Sequence, residues 1–75
     1  MTLRGAEAGK DYRVLAINTD DEELDAFLLS LGCYKGQEVT VVNTRRSGCV
    51  ITIKDGRYNI DKYLADAIEV EEIKK

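Results

Sequence analysis

Three consecutive runs of strand-forming residues in the middle of this chain constrain its fold more than any other feature. "QEVTVVNT" at residues 37–44 and "CVITIK" at residues 49–54 are rich in β-branched side chains, and "RRSG" between them indicates a hairpin connection. Asp55 and Gly56 then form a dipeptide that strongly indicates a type I′ turn, which needs positive φ at both central residues. A short third strand, "RYNI", must pair back, so this segment is predicted to be a three-stranded meander.

Strands are also predicted near the two ends of the chain. "DYRVLAINT", residues 11–19, alternates as a strand does and has apolar content on both faces. After the meander, "DKYLADA" indicates a short helical turn, and "IEVEEI", residues 68–73, alternates as a last, edge-like strand. Five short strands in so few residues predict a mainly β protein that forms a small barrel, because a closed or nearly closed sheet hides its edges.

One amphipathic helix is predicted between the first and second strands. It should begin at Thr19 or Asp20, because each has a glutamate three positions later, as a capping box requires. Gly32 follows the last apolar position and predicts that the helix ends there in a left-handed conformation. Four apolar residues at i, i+3, i+4 and i+7 form one stripe that is expected to be core: Leu24, Phe27, Leu28 and Leu31.

The length and the charge of the chain limit its function. Its 75 residues predict a single domain over 1–75, since a chain of this size buries only roughly 60% of its unfolded surface and supports one core. The net charge of −3 disfavours nucleic acid as a partner, because nucleic-acid binders usually carry surplus lysine and arginine. No apolar run approaches the ~20 residues that span a bilayer, and the first residues lack the apolar stretch of a secretory signal. We therefore expect a cytoplasmic protein that reaches a membrane only through a partner.

Residue types that carry chemistry are sparse. The chain has no histidine, which removes the usual general base and the commonest transition-metal ligand, and it has no phosphate-binding glycine loop. No catalytic residue, metal ligand or cofactor is therefore predicted, and the chain is not expected to be an enzyme. Cys33 and Cys49 are expected to be structural thiols, and a metal site that they complete with Asp55 or Glu38 is the alternative.

The order of several motifs resembles one known family. The opening "TLRGAEAGKDYRV", the helix end "LLSLG", the following "KGQEVTVV", then "GRYNI" and the closing "ADAIEVE" are together similar to the FeoA family of ferrous iron transport accessory proteins. The similarity covers nearly the whole chain, from about Thr2 to Glu72. It implies an SH3-like β-barrel of about five strands with an extra helix between the first two. It also implies a cytoplasmic binding protein for FeoB, the Fe(II)-transporting membrane protein with a GTP-binding domain; a small metal-responsive or metal-carrying module is the alternative.

Five residues near turns are predicted to contact a partner. Arg45 and Arg46 lie at the predicted hairpin tip, where guanidinium groups can pair bidentately with carboxylates or phosphates. Tyr34 and Lys35 lie on the elbow between the helix and the next strand, and Tyr58 lies close to the following turn. Exposed aromatic side chains beside the loops of small barrels are typical anchors for peptide segments. Ordinary surface charge and packing of the tyrosine rings on the core are the alternatives.

Overall fold

The computed structural model describes residues 1–74 and contains one five-stranded antiparallel sheet and two α-helices. A 3-10 turn at Leu3–Gly5 precedes the first strand. The elements follow in the order β1 (Asp11–Ile17), α1 (Glu22–Leu31), β2 (Glu38–Arg45), β3 (Gly48–Ile53), β4 (Gly56–Asp61), α2 (Lys62–Ala67) and β5 (Ile68–Glu72). Neither α-helix of the described residues has the length and the apolar composition of a membrane-spanning segment.

The sheet has the strand order β4-β3-β2-β1-β5, and each neighbouring pair is antiparallel. β2, β3 and β4 form the predicted meander, while β1 pairs with both β2 and β5. The predicted fold class is confirmed: mainly β, with a helix inserted after the first strand and a short helix before the last. Within residues 1–74 the strand pairing leaves the sheet open between β4 and β5, and α2, which connects these two edge strands, packs against both of them and against β3.

Alternation along the strands determines which side chains enter the core. In β3, Cys49, Ile51 and Ile53 are buried and share a face, as their spacing predicts. β1 contributes the ring of Tyr12 to the same cluster of buried side chains. The Tyr12 hydroxyl accepts a hydrogen bond of 2.8 Å from the Glu7 N–H, so the polar atom of this buried ring is satisfied.

The start of α1 differs from the prediction. The N-cap residue is Asp21, whose Oδ1 accepts hydrogen bonds from the backbone N–H groups of Glu23 at 2.9 Å and Leu24 at 3.3 Å. Asp20 has φ +58°, which is left-handed, whereas an N-cap residue is normally extended. The Thr19 hydroxyl accepts a hydrogen bond of 3.1 Å from the Asp21 N–H and so supports the cap from outside the helix. The predicted start at Thr19 or Asp20 is therefore wrong.

The end of α1 agrees with the prediction. Gly32 has φ +92°, and its N–H donates to the carbonyl of Leu29 at 3.0 Å. The Cys33 N–H donates to the carbonyl of Leu28 at 2.9 Å. These bonds satisfy carbonyl groups that the end of a helix leaves free, so the glycine is explained by backbone geometry.

The β3–β4 turn is shifted by one residue from its predicted position at Asp55 and Gly56. Ile53 pairs with Gly56, so Lys54 and Asp55 are the central residues, and of these Lys54 has the positive φ, +54°. Gly56 belongs to β4, where a Cβ atom would lie only 2.3 Å from the Tyr58 hydroxyl oxygen. The glycine therefore makes room for the Tyr58 side chain and does not supply the positive φ of the turn.

Candidate functional site

The elbow between α1 and β2 places two of the predicted partner-binding residues at the surface. Tyr34 is 40% exposed, and Lys54 Nζ lies 5.4 Å from the centroid of its ring, in cation–π contact. The Gly36 N–H donates to the carbonyl of Val14 at 2.8 Å, which joins the elbow to β1. The elbow and the β3–β4 turn therefore form one surface, on which Lys35 is also exposed.

Two of the other predicted residues, Arg45 and Arg46, lie at the opposite end of β3 from the elbow. Arg45 ends β2 and Arg46 begins the β2–β3 turn, and both are exposed. Tyr58 is half-buried on β4 and lines a shallow depression of about 370 Å³ together with Arg45. β3 extends from Gly48, the partner of Arg45, to Ile53 at the other turn, which is about 17 Å at the usual rise per residue. Tyr34 and Lys35 thus lie near one end of β3 and Arg45 and Arg46 near the other, with Tyr58 between them. Contact of these five residues with a partner stays a prediction.

The apolar stripe of α1 is only partly buried. Leu28 is fully buried and Leu31 packs on the core while half-buried, whereas Leu24 is 37% exposed and Phe27 is 48% exposed. The expected core positions of Leu24 and Phe27 are therefore wrong. The physical reason is that α1 meets the core through its C-terminal half, since every residue from Glu22 to Phe27 is exposed.

The exposed side chains of α1 line a groove together with α2. Leu24 lines a depression of about 300 Å³ with Tyr63 and Leu64 of α2, and Phe27 lines an adjoining depression of about 460 Å³. Leu64 and Asp61 line both depressions, so the two are neighbours. Tyr63 is 75% exposed, so this is a surface of accessible apolar side chains. The combined feature, named the α1–α2 groove below, is defined by Leu24, Phe27, Asp61, Tyr63, Leu64 and Asp66.

Both signs of charge occur at this groove. Asp61, Asp66 and Arg45 line it, and Lys62 Nζ lies 5.2 Å from the centroid of the Tyr63 ring. Asp61 also caps α2, because its Oδ1 accepts a hydrogen bond of 2.8 Å from the Leu64 N–H. The first turn of α1 adds three exposed carboxylates nearby in sequence to Leu24. With these carboxylates of α1 included, acidic groups outnumber basic ones beside the apolar anchors, which suits a partner segment that carries apolar and basic side chains.

The two cysteines are buried free thiols, as expected for a structural role. Burial raises the pKa of the Cys33 thiol to about 11, and it also raises the pKa of the Cys49 thiol above its ordinary value. Within residues 1–74, no group of three or more histidine, cysteine, aspartate or glutamate side chains is placed to hold a metal ion. The alternative of a metal site built on the two cysteines therefore has no assembled ligand set in this part of the chain.

The buried Cys33 thiol predicts a loss of stability at alkaline pH. Its pKa in the folded protein lies above the ordinary value of 9.0, so between these values the folded chain keeps a proton that the unfolded chain releases. The free energy of unfolding should therefore be unaffected by this group below about pH 9 and should fall as the pH rises towards 11. Urea denaturation of the wild type and of Cys33→Ala at a series of pH values measures this effect, and the variant should decline less steeply. If the free energy of unfolding falls with pH equally steeply in both proteins, the alkaline loss of stability comes from groups other than Cys33.

Several solved structures share this fold. Iron(II) transport protein A from Clostridium thermocellum is 27% identical with a TM-score of 0.88, and the match covers 97% of this chain and 46% of that chain, so the present chain spans about half of its length. The FeoA protein from Chlorobium tepidum is 17% identical with a TM-score of 0.88, and the match covers 99% and 71% of the two chains. FeoA from Stenotrophomonas maltophilia in complex with zinc, described as an SH3 domain protein, is 20% identical with a TM-score of 0.83. The match covers 95% of this chain and 89% of that chain. No curated protein matches the sequence.

The family is established by a match over nearly the whole sequence. The model of the FeoA domain matches residues 1–72, which confirms the resemblance indicated by the motifs. The SH3-like character of the fold agrees with the Stenotrophomonas maltophilia structure. The family is linked to ferrous iron transport through proteins such as iron(II) transport protein A. This chain belongs to the FeoA domain family.

Proposed function

We propose that this protein is a cytoplasmic accessory protein of ferrous iron uptake that binds and modulates the membrane transporter FeoB through the α1–α2 groove, without catalysis. The observation that carries the proposal is the exposure of large apolar side chains on both helices, Phe27 on α1 and Tyr63 on α2. Water contact with such side chains is unfavourable, and a partner that covers them gains free energy. Membership of the FeoA domain family and the similarity to an iron(II) transport protein support the context of iron uptake.

The groove contains the side chains from which binding energy is usually obtained. Burial of one leucine or phenylalanine side chain is worth roughly 1.5–3 kcal/mol, and a few such anchors dominate most interfaces. The expected anchors are Leu24 and Phe27 on α1 and Tyr63 on α2. Asp61 and Asp66 add negative charge beside them. The matching FeoB segment therefore carries apolar side chains that reach both depressions and lysine or arginine next to them.

Combined replacement of Phe27 and Tyr63 with alanine should weaken FeoB binding by roughly 10- to 100-fold, because two anchors are lost and each 1.4 kcal/mol is tenfold in affinity. Purified full-length FeoB in nanodiscs, immobilised for biolayer interferometry, provides the measurement. Both side chains are exposed, so the variant should keep its fold, and a thermal unfolding curve verifies this.

Leu29→Ala is the matched control for the groove variant. Leu29 is 62% exposed on α1 but does not line the groove, so its removal should leave FeoB affinity nearly unchanged. Tyr34→Ala tests the elbow in the same assay. If Tyr34→Ala loses binding and the groove variant does not, the interface lies at the elbow and not at the groove. If the wild type does not bind FeoB, the proposed function is refuted.

A further inference from the structure

A separate pocket beside the β2–β3 turn collects positive charge. Its volume is about 260 Å³, and four cationic side chains line it: Arg4, Arg45, Arg46 and Lys62. Its other lining residues are uncharged: Leu3, Thr44, Gly48 and Cys49. Among the described residues, no carboxylate lines this feature, which is named the basic pocket below.

The fold brings the four cations together from segments that are far apart in sequence. Arg4 belongs to the 3-10 turn, which is anchored by the buried Leu3 and packs against α2 and β3. The Lys62 N–H donates to the Ser47 carbonyl at 2.7 Å, which joins the start of α2 to the β2–β3 turn. That hairpin supplies the remaining two arginines. The backbone segments that carry the four cations are therefore joined, and Lys62 Nζ also lies 5.2 Å from the centroid of the Tyr63 ring.

The cations of the basic pocket have no carboxylate partner within residues 1–74. The ion pairs of this part of the chain join Lys10 to Glu7 and Glu72, and Arg13 to Glu71. The chain has 14 acidic residues against 11 lysines and arginines, so acidic side chains are plentiful, yet none lines the pocket. Like charges at one pocket repel each other, and a bound anion converts this repulsion into attraction.

We propose that the basic pocket binds a phosphate group. Guanidinium groups present paired N–H donors that match phosphate oxygens bidentately, and a phosphate dianion offers more charge and more acceptor oxygens than one carboxylate. The pocket volume of about 260 Å³ lies below the usual range of roughly 300–1,000 Å³ for drug-sized ligands, so it suits a phosphate or diphosphate group in place of a whole nucleotide. The phosphate belongs either to a soluble compound or to a lipid head group.

This site goes beyond the proposed binding of FeoB. Arg4 and Arg46 line the basic pocket but neither depression of the α1–α2 groove, although Arg45 lies where the two features adjoin. Variants of Arg4 and Arg46 therefore leave the lining of the α1–α2 groove unchanged. The test needs no FeoB, so its failure would leave the proposed function intact, and failure of FeoB binding would leave the basic pocket intact.

Titration of the ¹⁵N-labelled full chain with inorganic pyrophosphate tests the proposal. We expect saturable shifts of the backbone amide signals of Gly48, Cys49 and Lys62, which lie at the pocket. The apparent affinity should fall as sodium chloride is raised, because salt screens exposed charges. Arg4→Gln combined with Arg46→Gln should reduce the affinity about tenfold or more, because each removes a charged hydrogen-bond donor.

Lys54→Gln combined with Arg57→Gln is the matched control. It removes the same amount of positive charge at the opposite end of the β3–β4 hairpin, and its affinity for pyrophosphate should stay close to that of the wild type. All four substituted side chains are exposed, so both double variants should fold. Equal losses in the two variants would show unspecific attraction to positive charge and would overturn the proposal.

Vesicles distinguish the two sources of the phosphate group. Co-sedimentation with vesicles of phosphatidylcholine and phosphatidylglycerol, but not with phosphatidylcholine alone, would assign the pocket to an anionic lipid head group if Arg4→Gln with Arg46→Gln abolishes it. Binding of pyrophosphate without such co-sedimentation would assign it to a soluble phosphate compound. Failure of the wild type to bind either probe would overturn the proposal.

Discussion

Replacing Gly48 with alanine is expected to lower the free energy of unfolding by roughly 2–5 kcal/mol, because backbone strain and overpacking act together. An added Cβ atom would lie 2.0 Å from the Ile60 carbonyl oxygen and 2.8 Å from the Asp61 Cα, and the φ of Gly48 is +150°. These atoms are backbone atoms of β4, so no flexible side chain can move aside. Each kcal/mol corresponds to roughly 4–8 °C in a domain of this size, so thermal unfolding should show a Tm lower by about 10 °C or more.

Two other glycines separate backbone strain from close approach. Gly9 has φ +87°, and a Cβ atom added there would meet no other atom within 4 Å, so Gly9→Ala should cost only the strain of about 1–2 kcal/mol. Gly5 has neither a positive φ nor a close neighbour, and Gly5→Ala should be nearly neutral. If Gly48→Ala lowers the free energy of unfolding no more than Gly9→Ala does, β3 and β4 separate at little cost. That result would contradict the expected contribution of close approach at Gly48.

The strands of this protein could be predicted because their sequences carry the information locally. Alternation in β3 places Cys49, Ile51 and Ile53 on one face, and burial of that face is what holds the strand in its register. The same holds for Gly32, where a left-handed residue ends α1 through hydrogen bonds to its own last turn. Elements whose cause lies within a few residues are therefore found at nearly their predicted positions.

The β3–β4 turn shows where a local rule is overridden. Asp55 and Gly56 together favour a type I′ turn, but the Tyr58 side chain occupies the space above Gly56 and needs a residue without a Cβ atom there. The turn is consequently centred one residue earlier, with the positive φ at Lys54. Whether a glycine serves its own φ or the packing of a neighbouring side chain depends on tertiary contacts.

The α1–α2 groove could not be predicted from helical periodicity. The spacing of Leu24, Phe27 and Leu28 shows which side chains share a face, but it does not show how far along the helix that face meets the sheet. Only the C-terminal half of α1 does so, and the remainder contributes to a surface that depends on Tyr63 from α2. The sequence does carry a signal for the exposure of Leu24, because this residue lies between Glu23 and Asp25 in the acidic first turn of α1.

Replacing Leu28 with alanine should also cost roughly 2–5 kcal/mol of unfolding free energy, as expected when a buried leucine is truncated and leaves a cavity. Leu28 is the fully buried residue of α1, so its side chain provides the main attachment of the helix to the core. The substitution should weaken FeoB binding as well, although Leu28 does not line the groove. A loosened α1 no longer holds Leu24 and Phe27 in place beside α2.

Leu29→Ala is the control for this attachment, because Leu29 neighbours Leu28 but is 62% exposed and should change stability by less than about 0.5 kcal/mol. Urea unfolding gives the stability, and amide hydrogen exchange reports on α1 separately from the sheet. If Leu28→Ala accelerates amide exchange in α1 relative to the wild type, and does so more than in β3, the helix opens as a unit while the sheet persists. Unchanged exchange in α1 together with full FeoB binding would mean that contacts other than Leu28 hold the helix, and that the groove does not depend on this side chain.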